Sequence, residues 1–113
     1  MRDVENLLEQ VRNHPETIQF PDVIVAIDKN YEYSPQGFSN GGIRNEAGTN
    51  EGSCKILAFA RMHELSAAQA LALFGDYYRI DVLQNPNGTD HANIRNFIEF
   101  GWSQLTFDGT VLK

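Results

Sequence analysis

The sequence contains a single cysteine, Cys54, and no apolar run that approaches the length of a membrane span. One cysteine cannot form an internal disulfide, so the fold does not depend on an oxidising compartment. The first residues alternate charged with apolar side chains and lack the apolar core of a signal peptide. These absences predict a protein that is made in the cytoplasm and does not enter a membrane.

Basic residues are also scarce. Nine Lys and Arg against 15 Asp and Glu give a formal net charge of −6, and no basic run offsets it. Such a charge disfavours binding to nucleic acid or to an anionic membrane. A chain of 113 residues with 42% hydrophobic residues can bury one core, so we expect a single domain over residues 1–113, acting as a monomer.

Apolar residues recur at helical spacing in several segments, which predicts a core of four to six helices. The first helix should cover Asp3–Asn13 and the second should begin near Pro21, although the β-branched run from Val23 to Val25 leaves a strand as an alternative. A third, central helix is expected over Ser53–Glu64.

The second half of the chain carries further helix signatures. Ser66, with Gln69 three residues later, predicts a capping box at the start of a fourth helix. A short helix should follow Gly75, and Thr89 or Asp90 should cap the last helix.

A small β element completes the expected α+β fold, which is predominantly helical. Asp108-Gly109 lies between alternating residues of the C-terminal tail, a pattern typical of a hairpin. The tail is expected to pair with the segment around Phe38–Asn45, as a hairpin or a small sheet.

The polar segment from Asn40 to Lys55 is the strongest functional feature. Asn and Gly alternate there, and both tolerate left-handed backbone, so the segment reads as a shaped loop that leads into the central helix. Ordered loops on a rigid scaffold are where binding residues concentrate.

Motifs spread over nearly the whole chain resemble the HopJ type III effector family. They include Asn40-Gly41, Gly52-Ser53-Cys54-Lys55, Phe74-Gly75 with Tyr77-Tyr78-Arg79, Gly88-Thr89-Asp90-His91 with Asn93-Ile94-Arg95-Asn96-Phe97, and Gly101-Trp102. The resemblance implies a small, α-rich bacterial domain without established catalytic residues. It further implies a type III effector that is delivered into a host cell and acts as a non-enzymatic interaction protein.

A resident protein of the bacterial cytoplasm is the alternative. Type III export signals are typically unstructured and poor in acidic residues, whereas Asp3, Glu5 and Glu9 lie in a predicted amphipathic helix. Such a protein would bind a small ligand or a protein partner in a cleft between the Asn/Gly loop and the helix that starts at His91.

The candidate binding residues are polar or aromatic side chains of these segments. Each residue can also be interpreted as purely structural, that is, as a helix cap, a packed aromatic side chain or a member of a surface ion pair. The candidates are Asn40, Asn45, Asn50, Lys55, Tyr77, Arg79, Asp90, His91 and Arg95.

A thiol hydrolase is a further alternative. Cys54 near a helix start would serve as the nucleophile, His91 as the base and Asp90 as the orienting acid. The competing interpretation is that Cys54 is a small buried apolar residue, because it shares a helix face with Leu57 and Ala58.

No cofactor and no metal site are expected. Metal binding needs convergent ligands at fixed spacing, and the sequence contains no His or Cys pair that supplies them. The glycine-rich segment also lacks the Gly-Lys-Ser/Thr element of a phosphate-binding loop.

Overall fold

The computed structural model describes residues 2–113. Its first helix, α1, spans Arg2–Asn13 and buries Val4, Leu7 and Val11, because these residues share one face. A 3₁₀ turn at Pro15–Thr17 leads to α2, which spans Phe20–Asn30.

The β-branched run in α2 is helical, so the strand alternative for this segment is wrong. Val23 is fully buried, whereas Val25 is 63% exposed. Tertiary packing of one helix face therefore overrides local β propensity here.

The central helix, α3, spans Glu51–Met62 and contributes five buried residues to the core. It starts two residues earlier than the pattern predicts. The next helix, α4, spans Ala67–Ala72, and the predicted capping box between Ser66 and Gln69 is confirmed. Two reciprocal hydrogen bonds form it, at 2.9 and 3.1 Å.

The short helix after Gly75 is a π-helix over Tyr77–Val82. The last helix, α5, spans Ala92–Phe100 and is followed by a 3₁₀ turn at Trp102–Gln104. No helix formed by residues 2–113 combines the length and the apolar character needed to cross a bilayer.

Three short strands form an antiparallel sheet with the order β2-β1-β3. The strands are β1 at Phe38–Asn40, β2 at Ile43–Asn45 and β3 at Leu105–Phe107. Gly41 and Gly42 join β1 to β2 with φ angles of 57° and 92°, as the favoured two-residue hairpin turn requires. The predicted pairing of the tail with the Phe38–Asn45 segment and the α+β fold class are both confirmed.

The expected hairpin within the tail is wrong. β3 pairs with β1, and beyond Asp108-Gly109 the chain runs to Tyr33, which forms an isolated bridge with Leu112. Val111 and Leu112 are buried, so the tail gains more by packing on the core than by pairing with itself.

Three asparagines, Asn40, Asn45 and Asn93, are buried together and are here called the asparagine cluster. Asn40 Nδ2 donates to the Asn93 carbonyl at 2.9 Å and to its Oδ1 at 3.0 Å. Asn45 Nδ2 donates to Asn93 Oδ1 at 3.1 Å, and Asn93 Nδ2 donates to Asn45 Oδ1 at 3.0 Å. The cluster therefore fixes the β1–β2 hairpin to the first turn of α5.

We predict that Asn93→Ala lowers the free energy of unfolding by about 2–3 kcal/mol, because it removes three buried side-chain hydrogen bonds to Asn40 and Asn45. Urea denaturation monitored by circular dichroism measures this change. Asn6→Ala, at an exposed position of α1, is the matched control and should shift stability by less than about 0.5 kcal/mol. Equal stability of the two variants would show that the cluster contributes nothing.

Candidate functional site

A recess with a volume of about 370 Å³ lies on one side of the domain. Small-molecule pockets occupy roughly 300–1,000 Å³, so its size suits a small ligand. It lies where the β1–β2 hairpin, the starts of α3 and α5, and the π-helix meet. Its lining residues are Phe20, Ile43, Asn45, Asn50, Gly52, Ser53, Phe74, Tyr77, His91, Ala92, Asn93 and Ile94.

The start of α3 forms one wall of the recess. Its N-cap residue, Asn50, has a φ of 50°, in the left-handed region. The Asn50 Nδ2 atom donates to Asn45 Oδ1 at 2.7 Å, so its side chain is directed to the asparagine cluster. As a result, the Asn50 side chain does not cap its own helix.

The start of α5 forms another part of the wall in the same way. Here the N-cap residue is His91, with a φ of 52°. Its Nε2 atom lies 3.0 Å from Asp81 Oδ2, and its ring packs on Tyr77 with centroids 5.0 Å apart. His91 therefore also lacks a capping bond to its own helix.

The predicted cap of the last helix by Thr89 or Asp90 is wrong. Asp90 Oδ1 instead accepts a hydrogen bond from Arg95 Nη2 at 2.6 Å, and the Arg95 guanidinium also holds the Asp90 and Asn85 carbonyls. This ion pair holds the pKa of the Asp90 carboxyl below its usual value. Asp90 therefore closes the Asn85–Asp90 turn, and the N-cap of α5 lies one residue later, at His91.

The π-helix positions the aromatic wall. Leu83 N donates to the Tyr78 carbonyl five residues earlier, at 3.0 Å, which is the bond that defines this helix type. Tyr77 contacts Phe20 edge to face, with centroids 4.9 Å apart, and remains 43% exposed. Tyr77 and Asp81 thus both face His91, and π-helices of this kind are frequent at functional sites.

Two helix starts without side-chain caps therefore face one recess. The first backbone N–H groups of a helix have no intrahelical acceptor, and they carry the positive end of the helix dipole. The recess-lining residues Gly52 and Ser53 lie in the first turn of α3, and Ala92 and Asn93 in that of α5. The recess can therefore donate several hydrogen bonds to acceptor atoms of a ligand.

The structure separates the predicted binding residues into two groups. Asn45, Asn50, Tyr77 and His91 line the recess. Asn40 is buried in the asparagine cluster behind it, and its Oδ1 has no hydrogen-bond partner among residues 2–113.

The positively charged candidates make their contacts outside the recess. Lys55 Nζ binds Asp28 Oδ1 at 2.8 Å and lies over the ring of Tyr33. Arg79 donates to the Pro15 and Ile18 carbonyls and so ties the π-helix to the turn before α2. Arg95 holds the Asn85–Asp90 turn, so these cations stabilise the fold and do not line the recess.

Cys54 is 1% exposed and does not line the recess. Its Sγ atom lies 3.9 Å from the Gln36 carbonyl, and burial raises the pKa of the thiol. A nucleophilic cysteine needs access and a lowered pKa. This geometry favours the interpretation of Cys54 as a small core residue over its role in a Cys54, His91 and Asp90 triad.

Sequence reasoning missed several residues of the site. Asn93 completes the asparagine cluster, and Asp81 orients His91. Phe20 and Phe74 add apolar walls. No sequence pattern marks Asn93 as buried, because it lies in the first turn of α5, where polar residues are common. Within residues 2–113, no group of three or more His, Cys, Asp or Glu side chains is arranged to hold a metal ion.

The fold and the recess define a small α+β domain with a three-stranded sheet and a polar and aromatic cleft. The model of the HopJ type III effector protein family matches residues 4–112. The chain therefore belongs to this family, and the resemblance seen in its motifs is confirmed.

A solved structure supports the same assignment. The crystal structure of VPA0580, a protein of unknown function, is similar, with a TM-score of 0.95 and 40% sequence identity. The match covers 96% of this chain and 91% of that protein. A search of curated proteins gives no significant match.

We predict that Cys54 of the native protein resists thiol reagents, because its Sγ atom is buried and its pKa is raised. The measurement is the rate of labelling by Ellman's reagent with and without denaturing urea. Labelling should be at least about a hundredfold slower in the native state. Rapid labelling of the native protein would instead support the hypothesis of a thiol hydrolase that uses Cys54.

Proposed function

We propose that this HopJ-family protein acts by binding and not by catalysis, and that the recess holds a small ligand. The ligand combines a flat apolar part with hydrogen-bond acceptors. The observation that carries this proposal is the convergence of aromatic and hydrogen-bonding groups from separate elements on one recess of about 370 Å³.

Aromatic side chains supply the apolar half of the recess. Phe20, Phe74 and Tyr77 come from three different segments, and Tyr77 keeps much of its ring accessible. Flat ligand groups gain both buried area and favourable ring geometry against such side chains. The opposite half offers the amide groups of the two helix starts, which suit ligand acceptor atoms.

Backbone strain at the recess supports a role in binding. The described residues include three non-glycine positions with positive φ, namely Asn50, Glu64 and His91. Two of them, Asn50 and His91, are the N-caps of α3 and α5 and line the recess. Left-handed backbone costs on the order of 1 kcal/mol per residue, and such strain persists mainly at functional sites.

The recess lacks an activated nucleophile, which supports binding over catalysis. Cys54 lies outside it. Ser53 lines the recess, but no side chain of residues 2–113 hydrogen-bonds to its hydroxyl, and His91 is directed to Asp81. A serine hydroxyl without an adjacent base is a weak nucleophile.

We predict that aromatic carboxylates or amides from a fragment set shift the amide resonances of Gly52, Ser53, Ala92 and Asn93 in ¹⁵N-correlated spectra. Ala92→Leu fills the recess and should weaken this binding at least about tenfold. Ala68→Leu, at an exposed position of α4, is the matched control and should bind as the original protein does.

Two outcomes would refute the ligand site. One is the absence of any shift at these four amides with every fragment tested. The other is unchanged binding in Ala92→Leu when circular dichroism shows that the variant is folded.

Membership of the HopJ family also supports delivery into a host cell as the biological role. The structure adds a constraint on such export, because Val4, Leu7 and Val11 of α1 are buried in the core. Asp3 Oδ2 further accepts a hydrogen bond from Asn30 Nδ2 at 2.6 Å. In this proposal α1 unfolds before it enters the secretion channel.

We predict that a reporter fused to this chain reaches host cells only from bacteria with an active type III system. Leu7→Ala weakens the packing of α1 by about 2–4 kcal/mol and should increase delivery. The control Glu9→Ala, on the exposed face of α1, should leave delivery unchanged. If the reporter stays in the bacterium while a known effector signal delivers it, the protein is a resident of the bacterial cytoplasm.

A further inference from the structure

A second concave surface lies between the π-helix and α5, and it shares no residue with the recess. This groove has a volume of about 320 Å³. Its lining residues are Val82, Leu83, Pro86, Arg95, Ile98 and Glu99. Leu83 is 51% exposed and Ile98 is 45% exposed, so two large apolar side chains face solvent on one surface.

The groove carries one carboxylate, Glu99, at its rim. Glu99 lies in the last turn of α5, which contains no basic residue, and no ion pair to Glu99 forms within the described chain. The last carbonyls of a helix carry the negative end of its dipole, which normally attracts Lys or Arg. Glu99 adds a full negative charge at that end.

The cation that lines the groove does not neutralise this charge. The Arg95 guanidinium contacts the Asp90 carboxylate and the carbonyls of Asp90 and Asn85, and its side chain is only 16% exposed. Arg61, near the same end of α5, donates to the Trp102 carbonyl and packs over the Trp102 ring. Glu99 is thus left as a charge that an external cation can match.

We propose that this groove docks a basic amphipathic helix of a protein partner. The partner's apolar side chains pack on Leu83 and Ile98, and its Lys or Arg side chains approach Glu99 and the end of α5. An amphipathic helix in an apolar groove is a common recognition mode, and opposite charges at the rim orient it and speed association. The net charge of −6 on the chain adds a general attraction for a basic partner.

The experiment uses a short synthetic helix of leucine and lysine as the probe, titrated into the full ¹⁵N-labelled chain. A peptide of the same pattern with glutamate in place of lysine is the charge control. We expect the Leu/Lys peptide to shift the resonances of Leu83, Ile98 and Glu99, and the Leu/Glu peptide to leave them unchanged.

Matched variants separate the groove from the general charge. Ile98→Ser and Glu99→Lys should each weaken the Leu/Lys peptide at least about tenfold, and Glu99→Lys should admit the Leu/Glu peptide. Val25→Ser and Glu9→Lys remove an exposed apolar side chain and reverse one charge elsewhere. Val25→Ser should leave the affinity unchanged, and Glu9→Lys should lower it by less than about twofold.

Other occupants of the groove give different results. Self-association that Ile98→Ser abolishes, measured by analytical ultracentrifugation, would assign the groove to a second copy of the chain. Binding to phosphatidylserine vesicles that depends on Ile98 would assign it to a membrane surface. Either result overturns the proposal, as does a loss of peptide affinity in Glu9→Lys equal to that in Glu99→Lys.

Discussion

The buried hydrogen bonds between Asn40, Asn45 and Asn93 are the constraint on which the rest of this structure depends. They join the β1–β2 hairpin to the start of α5, two elements that are distant in sequence. A buried amide without partners costs about 1–3 kcal/mol, so the hydrogen bonds within this group disfavour other arrangements of the hairpin and the helix. The position of the hairpin then fixes the positions of Asn50 and of the start of α3. These positions in turn determine the shape of the recess.

The recess has two nearly equivalent walls. Each is the first turn of a helix whose N-cap is left-handed and whose N-cap side chain turns to another partner, Asn45 in one case and Asp81 in the other. An ordinary serine or aspartate cap would satisfy those first-turn amides internally and remove them from a ligand. The strain at Asn50 and His91 accordingly keeps hydrogen-bond donors available at the site.

Much of the fold could be predicted because local patterns and tertiary packing agree there. The stripe of α1, the capping box at Ser66 and the pairing of the tail with β1 all follow from periodicity and turn chemistry. Three other features could not be predicted, because they depend on packing between distant segments. These are the π-helix, the left-handed start of α5 and the course of the tail beyond Asp108. For the site, the Asn/Gly loop and His91 were recognisable, whereas Asn93, Asp81 and Phe20 join it only through tertiary contacts. For the same reason, the sequence did not show that Lys55, Arg79 and Arg95 lie outside the recess. Their carboxylate and carbonyl partners lie on other elements.

The asparagine cluster also bears on how the chain ages chemically. An asparagine followed by glycine loses ammonia most readily when its side-chain carbon can be attacked by the next backbone nitrogen. Asn40 precedes Gly41, yet its carboxamide is held by Asn93, and the Gly41 nitrogen donates to the Gln104 carbonyl at 3.1 Å. Asn87 precedes Gly88 in an exposed turn and has no comparable restraint on its side chain within the described residues. Deamidation is thereby directed to the surface, away from the amides that hold the domain together.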